Sequence, residues 1–156
     1  MKTIKSKSGI KGRYRIIGTD SITGEILSQT PWIENLVMNG TNTGVAIAAQ
    51  RIAGTLTYDL TITKVKIGTG TNAPANGDTD LQTPIYTQNG LAAASAVGNV
   101  ASLSIFMATG VLANGTYTEL GLFAGNQLFA RSIISPSYVK GTNQDTTIEY
   151  QITVTN

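Results

Sequence analysis

The stretch Val65–Ile85, VKIGTGTNAPANGDTDLQTPI, holds residue types that bind phosphates or cations. Gly68, Gly70 and Ala73 have the G-x-G-x-x-G/A spacing of a dinucleotide-binding turn. That turn needs a helix that opens at its third small residue, and an acidic residue about 20 positions later for the ribose. Here Pro74 follows at once, no acid stands at that distance, and no Lys-Ser or Lys-Thr pair follows the glycines. The sequence therefore does not favour a nucleotide site.

Asn76, Asp78 and Asp80 alternate within the same stretch. Their oxygens could converge on a calcium ion, so these three residues are the candidate metal ligands. The stretch lacks the bidentate glutamate that ends an EF-hand loop, and two carboxylates alone bind calcium weakly. Aspartates at such positions commonly accept hydrogen bonds from backbone amides in turns, and we favour this role for Asp78 and Asp80. We therefore predict neither a metal nor another cofactor.

Paired carboxylates offer a different chemistry, because two acids that flank a glycosidic bond can hydrolyse it. The nine acidic residues are scattered along the chain, and their spacing marks no pair. For Glu119 we also predict a structural role, an exposed ion pair with Arg131 across neighbouring strands. The acids from which a hydrolytic pair could be drawn include Asp59, Asp78, Glu119 and Glu149.

Histidine and cysteine are absent from the chain. Without them there is no Ser-His-Asp triad, no thiol nucleophile, no disulfide, and no His or Cys ligand for zinc. Much of enzyme chemistry is excluded in this way. We therefore predict a protein that is not an enzyme, with no catalytic residue, no cofactor-binding residue and no small-molecule substrate.

Basic residues are concentrated at the N-terminus, before the first acidic residue, Asp20. A basic arm can neutralise phosphates or bind the acidic surface of a partner protein. Residues 1–12 contain no aromatic side chain for base stacking, so we do not predict a nucleic-acid partner. We predict a basic arm over residues 1–12 and a single domain over residues 13–156. The predicted partner-anchoring residues, six of the eleven basic residues, are Lys2, Lys5, Lys7, Lys11, Arg13 and Arg15.

The segment TGVAIAAQRIAG predicts one helix, with Thr41 or Asn42 as its N-cap and Gly54 at its end. Just before it, the Asn39-Gly40 pair predicts a turn with positive backbone angles. No apolar run approaches the roughly 18 to 20 residues that a membrane helix needs, so we predict no membrane contact. The residues with helical spacing that should face the core are Val45, Ala48, Ala49 and Ile52.

Short runs of alternating apolar and polar residues, separated by glycine and asparagine, fill most of the remaining sequence. We predict hairpins at Asp20–Gly24, Gly98-Asn99 and Gly125-Asn126, a bulged strand just before Gly68, and a half-buried strand over residues 147–154. Seven to nine such strands predict a mainly β fold. The predicted architecture is an antiparallel β-sandwich of jelly-roll-like type, with one short α-helix near residues 42–53.

Two blocks of the sequence resemble tailed-bacteriophage virion structural proteins of the tail, fibre or neck type. The first is IGTGTNAPANGDTDL, residues 67–81, and the second is TELGLFAGNQLFAR, residues 118–131. In those proteins a glycine-rich segment that ends in D-T-x-L precedes a hairpin with T-E-x-G-L-F and L-F-A-R. The resemblance runs from Gly54 to the C-terminus and, more loosely, includes WIENLV at residues 32–37. The segment NGLAAASAVGNV departs from it, because relatives more often carry charged strand residues there.

The resemblance implies a non-enzymatic, β-rich virion component, assembled in the cytoplasm of the bacterial host, that forms homo-oligomers and docks on other virion proteins. A trimer would suit a fibre or appendage. Only 13% of the residues are charged, which fits surfaces that pack against copies of the chain. For Trp32, packing in the core is the alternative. The predicted oligomer-interface residues are Trp32, Leu91, Leu103, Ile105 and Met107.

Two other functions remain open. The chain could be a capsid decoration or head-fibre protein, in which the arm grips the shell. It could also be a β-sandwich module that binds host glycans, which requires exposed aromatic residues near loop tips. The residues that could serve as such platforms are Tyr86, Tyr117 and Tyr138.

Overall fold

The computed structural model describes residues 9–55 and 59–155, which form ten β-strands and one α-helix. The first third contains β1 (Gly9–Asp20), β2 (Ile26–Gln29), β3 (Ile33–Val37) and α1 (Gly44–Ala53). The middle contains β4 (Ile62–Gly68), β5 (Pro84–Asn89), β6 (Ala93–Val97) and β7 (Val100–Met107). The last third contains β8 (Gly115–Ala124), β9 (Gln127–Lys140) and β10 (Gln144–Thr155).

These strands pair antiparallel in one sheet, in the order β5-β4-β8-β9-β3-β1-β10-β7-β6, with β2 paired to β1. β3 joins the two halves of the sheet, because it pairs with β1 over its first residues and with β9 over its last. The sheet curls into a half-barrel, and residues from both halves share one main core. The predicted mainly β, antiparallel, sandwich-like fold with one helix is therefore confirmed.

Successive side chains of a strand point to opposite faces of the sheet, and those on the inward face build the core. Along β10, Ile148, Tyr150 and Ile152 are buried, while the residues between them are partly exposed. In β7, Ile105 and Met107 are 0% and 1% exposed and belong to the same core. A predicted oligomer interface that includes Ile105 and Met107 is therefore wrong for these two residues, because the fold of the chain itself covers them.

The predicted hairpins are present as β1–β2, β6–β7 and β8–β9. Gly98 and Gly125 have φ angles of 58° and 59°, the positive values that two-residue hairpin loops use. The predicted bulge is also confirmed, since the pairing of β4 with β8 shifts register between Ile62 and Lys64.

β1 begins at Gly9 and pairs with β10 along its whole length, from Gly9 opposite Thr155 to Asp20 opposite Gln144. Residues 9–12 therefore lie in the sheet, and the predicted boundary between arm and domain at residue 12 is wrong. The strand begins before residue 13 because the alternation of inward and outward residues begins there: Ile10 packs against the core and Gly12 is buried. The predicted anchoring residues Lys2, Lys5 and Lys7 lie outside the described residues.

The predicted helix is confirmed as α1, but its N-cap is Thr43 rather than Thr41 or Asn42. Gly54 ends the helix in the left-handed conformation, with a φ of 68°. The positive φ before the helix belongs to Asn42 and not to the Asn39-Gly40 pair, so that turn was misplaced. Among the described residues, no helix is long and apolar enough to cross a membrane.

The predicted core face of α1 is wrong. Gly44 and Ile47 are buried, whereas Val45 is 37% and Ile52 is 89% exposed. The reason is that α1 lies against β9, where it buries only a narrow stripe. A side chain at Gly44 would collide with the carbonyl oxygen of Phe129, so the start of the helix also contacts this strand directly.

Candidate functional site

Glu119 of β8 and Arg131 of β9 form an ion pair inside the protein, with Arg131 Nη2 2.9 Å from Glu119 Oε2. Because β8 and β9 are neighbouring strands, the predicted pairing of these residues is confirmed. The predicted exposure is wrong, since the two side chains are only 0% and 3% exposed. The segment 69–83, which connects β4 to β5 and is called the covering loop below, lies over this part of the sheet and buries the pair.

The Glu119 carboxylate accepts four hydrogen bonds, three of them from backbone amides of the covering loop. Oε1 accepts from the amides of Gly70 and Thr83, over 2.9 and 2.6 Å. Oε2 accepts from the amide of Gln82 over 3.0 Å and from Arg131 over 2.9 Å. A buried carboxylate is stable only when donors satisfy it in this way. Glu119 therefore holds the covering loop near both of its ends.

Gly68 and Gly70 are glycines because the backbone passes close to the same carboxylate. A Cβ atom would lie 2.8 Å from Glu119 Oε1 at position 68 and 2.5 Å from it at position 70. At position 68 it would also collide with the carbonyl oxygen of Thr83. The G-T-G segment thus brings the chain to the protein's own carboxylate, where a dinucleotide-binding turn would bring it to a phosphate.

Arg131 binds the covering loop at a second place. Its Nη1 donates to Asp78 Oδ2 over 2.6 Å, and its Nη2 donates to the carbonyl oxygen of Asn72 over 3.0 Å. Asp78 Oδ2 also accepts the amide of Ala75 over 2.9 Å, so the predicted turn-capping role of Asp78 is confirmed. We call Glu119, Arg131 and Asp78 together the clasp, because they fasten the covering loop to the sheet.

The clasp residues are all ionised at neutral pH. Burial alone would raise the pKa of Glu119, but the loop amides and Arg131 outweigh it and hold the pKa below its ordinary value. Burial likewise opposes ionisation of Asp78, and the Ala75 amide and Arg131 together lower the pKa of its carboxyl. Burial would lower the pKa of Arg131, whereas the two carboxylates raise it above its ordinary value. The network therefore favours the charged form of every member.

The two aspartates among the predicted metal ligands pair with side-chain cations. Asp80 Oδ2 lies 2.7 Å from Lys66 Nζ, and Asp80 Oδ1 accepts the amide of Leu81, a local contact of the predicted kind. Asp78 pairs with Arg131, and Asn76 is exposed. Within residues 9–55 and 59–155, no three His, Cys, Asp or Glu side chains are grouped to hold a metal ion. The arrangement does not support the calcium hypothesis.

The acids considered for hydrolysis do not share a cleft. Glu119 and Asp78 meet at one guanidinium, but Glu119 has no exposed surface through which it could reach a substrate. Asp59 accepts hydrogen bonds from its neighbour Thr61, and Glu149 pairs with a basic residue of β1. Each of these four carboxylates therefore contacts other groups of the chain itself.

Three predicted anchoring residues lie on the outer face of β1. Arg15 Nε is 2.6 Å from Glu149 Oε2, and Arg13 Nε donates to Gln151 Oε1 over 2.9 Å. Both contacts cross from β1 to β10, its neighbour in the sheet. Lys11 is exposed on the same face. Arg13 and Arg15 thus already have partners within the chain, and Lys11 is the most open of the three.

Trp32 also lies on this outer face and not in the core. The guanidinium carbons of Arg13 and Arg15 are 4.7 and 4.9 Å from the centre of its ring, within the range of cation–π contacts. The ring is half-buried and lines a groove of about 350 Å³ together with serines of β6 and β7. The core alternative for Trp32 is therefore wrong, whereas its interface role stays a prediction.

Two of the predicted glycan platforms are buried. Tyr117 and Tyr138 are 3% and 2% exposed, and both belong to the main core. Their hydroxyl groups contact the carbonyl oxygen of Ala113 and the hydroxyl of Thr146. Those two residues are therefore wrong as platforms, and of the three tyrosines Tyr86 alone is partly exposed.

Leu91 and Leu103, the remaining predicted interface residues, are partly buried and pack against the core. Both line an apolar pocket of about 320 Å³, to which Phe129 and Ile152 also contribute. Their exposed surface is limited, and their role in an oligomer interface stays a prediction.

Sequence reasoning missed Gln82, whose side-chain oxygen accepts the amides of Thr71 and Asn72, each over 2.9 Å. It also missed Thr118, whose hydroxyl donates to the carbonyl oxygen of Gly70 over 2.8 Å. The only available signal was the occurrence of the two sequence blocks together, since both residues lie in or beside them.

Comparison with known proteins adds nothing to this site, because no family model, no curated protein and no solved structure matches the chain.

Proposed function

We propose that this chain is a non-enzymatic structural subunit of a tailed-bacteriophage virion, in a neck, tail or fibre, that self-associates and docks on other virion proteins. The clasp is the observation that supports the proposal. Asp78 belongs to the first sequence block that resembles such proteins, and Glu119 and Arg131 belong to the second. Because the two blocks bind each other directly, the resemblance covers one structural unit instead of two unrelated short matches.

The clasp also explains in structural terms the residues whose types suggested a phosphate, metal or hydrolytic site. The glycines approach Glu119, Asp78 caps a turn and binds Arg131, and the carboxylate of Glu119 is satisfied by four donors. A buried polar network of several hydrogen bonds makes a segment rigid and favours one conformation. A covering loop fixed in this way suits a subunit that must present a constant surface to its neighbours.

The N-terminal basic residues are the proposed anchor on other virion proteins. Lys11 is the described residue that offers a free charge for this role, because Arg13 and Arg15 already bind Gln151 and Glu149. Deleting residues 1–8 and replacing Lys11 by alanine would test the anchor, since β1 would keep every described pair with β10. The truncated chain should fold but should not enter particles, and normal incorporation would contradict the anchoring role.

The composition of purified particles tests the proposed function itself. Mass spectrometry of particles from a phage that encodes the chain should detect it as a structural component, and immunogold labelling should fall on the neck, tail or fibre. Labelling spread over the head would favour the capsid decoration or head-fibre alternative. Absence from the particles would overturn the proposal.

A further inference from the structure

β6 lies at one edge of the sheet, and its outer side is unprotected. It pairs with β7 on one side, and within the described part of the chain no strand pairs with the other. All five residues of β6, AASAV, are exposed, and the strand has no charge, no proline and no glycine. Sheets usually protect an edge with one of these devices, because an open edge pairs with other strands. The edge of β6 is therefore available for pairing.

The opposite edge of the sheet, β5, does carry such protection. It begins with Pro84, and its pairing with β4 shifts register between Ile67 and Gly68. Three of its six residues, 86–88, are partly buried. The contrast between the two edges singles out β6.

Hairpin geometry identifies which backbone groups of β6 are free. A two-residue loop, Gly98-Asn99, joins β6 to β7, so Val97 and Val100 form the hydrogen-bonded pair next to the loop. The direction of the N–H and C=O groups alternates along an antiparallel strand. Ala94 and Ala96 therefore direct their N–H and C=O groups away from β7 and toward the open edge.

We infer that β6 pairs antiparallel with β6 of a second copy of this chain, about a two-fold axis at Ser95. In this register Ala94 of each copy lies opposite Ala96 of the other, and each of these two pairs exchanges two backbone hydrogen bonds. Val97, which is 80% exposed in the single chain, lies opposite Ala93 of the second copy. The inference rests on the proposed self-association and names its surface and its symmetry, a dimer or a multiple of one.

The charge distribution identifies a second copy as the occupant. In a two-fold interface each side chain near the axis meets its own copy, so any charge there would be repelled by an identical charge. The segment Leu81–Thr118, which includes β5, β6 and β7, contains none of the eleven basic and nine acidic residues of the chain. The small side chains of residues 93–96 also let the two backbones approach. This edge is therefore complementary to itself.

Cysteine cross-linking tests the register. The chain has no cysteine, so Ser95→Cys introduces a single thiol. On the two-fold axis the two Cα atoms would be a non-hydrogen-bonded pair about 4.5 Å apart, within the range that a disulfide spans. Diamide should therefore convert Ser95→Cys to a covalent dimer that a reductant reverses. The matched control is Thr87→Cys on β5, which should stay uncross-linked, and a monomeric Ser95→Cys or a dimeric Thr87→Cys would overturn the inference.

A proline substitution tests the hydrogen bonds. Ala96→Pro removes an N–H that faces the open edge and leaves the ladder with β7 intact, which is the one place where a strand tolerates proline. The change removes two of the four intermolecular bonds, so dimerisation should weaken roughly 5- to 150-fold with an unchanged circular dichroism spectrum. Ala96→Val, which keeps the N–H, should remain dimeric. A native mass that is the same for wild type and Ala96→Pro, or a wild-type trimer, would contradict the pairing.

These outcomes are distinct from those that test the proposed function. If particles contain the chain but incorporate Ala96→Pro normally, the β6 pairing is wrong and the virion role stands. If particles lack the chain, the virion role is wrong whatever the cross-linking shows.

Discussion

The amide of Gly70 donates a hydrogen bond of 2.9 Å to the carboxylate of Glu119, a residue 49 positions later in the sequence. The carboxylate is fully buried, and position 70 has no room for a side chain beside it. Each residue therefore requires the other. Glu119 accepts hydrogen bonds from amides of the covering loop, and Gly70 lets the backbone of the loop come close enough to donate one.

Gly70→Ala should destabilise the protein because the added methyl group must displace the Glu119 carboxylate or the loop. Overpacking of this kind costs about 1–3 kcal/mol of the free energy of unfolding, which urea titration measures. Gly77→Ala, in the same loop, is the matched control, because a Cβ there meets nothing within 4 Å. Equal losses in the two variants would show that the carboxylate does not dictate the glycine.

Glu119→Gln should be among the most damaging polar substitutions in the chain. It removes the fully buried one of the two carboxylates that compensate Arg131, and breaking a buried pair costs about 3–5 kcal/mol. Glu149→Gln is the control, since Glu149 and Arg15 are 37% and 30% exposed at their side chains and such pairs contribute at most about 1 kcal/mol. Urea unfolding midpoints compare the two, and a similar small loss for both would contradict a structural role for the clasp.

Much of the fold could be predicted from local patterns, because the information is local. Alternation and the Gly-Asn pairs located the hairpins, and the terminal strand showed its buried face directly. The order of the sheet could not be predicted in this way. β3 links the two halves through only a few residue pairs with each neighbour, and no pattern within IENLV announces both partners.

Burial was the property that the sequence predicted least well. The ion pair of Glu119 and Arg131 could be predicted from strand chemistry, but its burial depends on a loop that folds over it from elsewhere in the chain. Ile105 and Met107 alternated as an exposed apolar face would, and only the curl of the sheet places that face inside. In each case the deciding contact comes from a distant segment, so the residues themselves do not encode it.

Acid should weaken the clasp and the fold together. Because Glu119 and Asp78 have lower pKa values in the folded chain, the unfolded chain binds more protons in the acid range. Their contribution is fully present above the unfolded pKa values of about 4 and is lost as the pH falls through the lower folded values. Urea unfolding at pH 7 and pH 3 measures the loss. Glu119→Gln should show a smaller pH dependence, and a dependence identical to that of wild type would assign the acid sensitivity to other carboxyls.

The two isoleucines of α1 provide a test of which helix face is buried. Ile47 is 0% exposed and Ile52 is 89% exposed, although the helical spacing predicted Ile52 in the core. Ile47→Ala should cost about 2–5 kcal/mol, because it removes buried methyl groups and leaves a cavity against β9. Ile52→Ala should be neutral or slightly stabilising, because alanine is the better helix former and no buried contact is lost. Thermal unfolding of both variants measures the difference, and a larger loss for Ile52→Ala would restore the helix face that the sequence predicted.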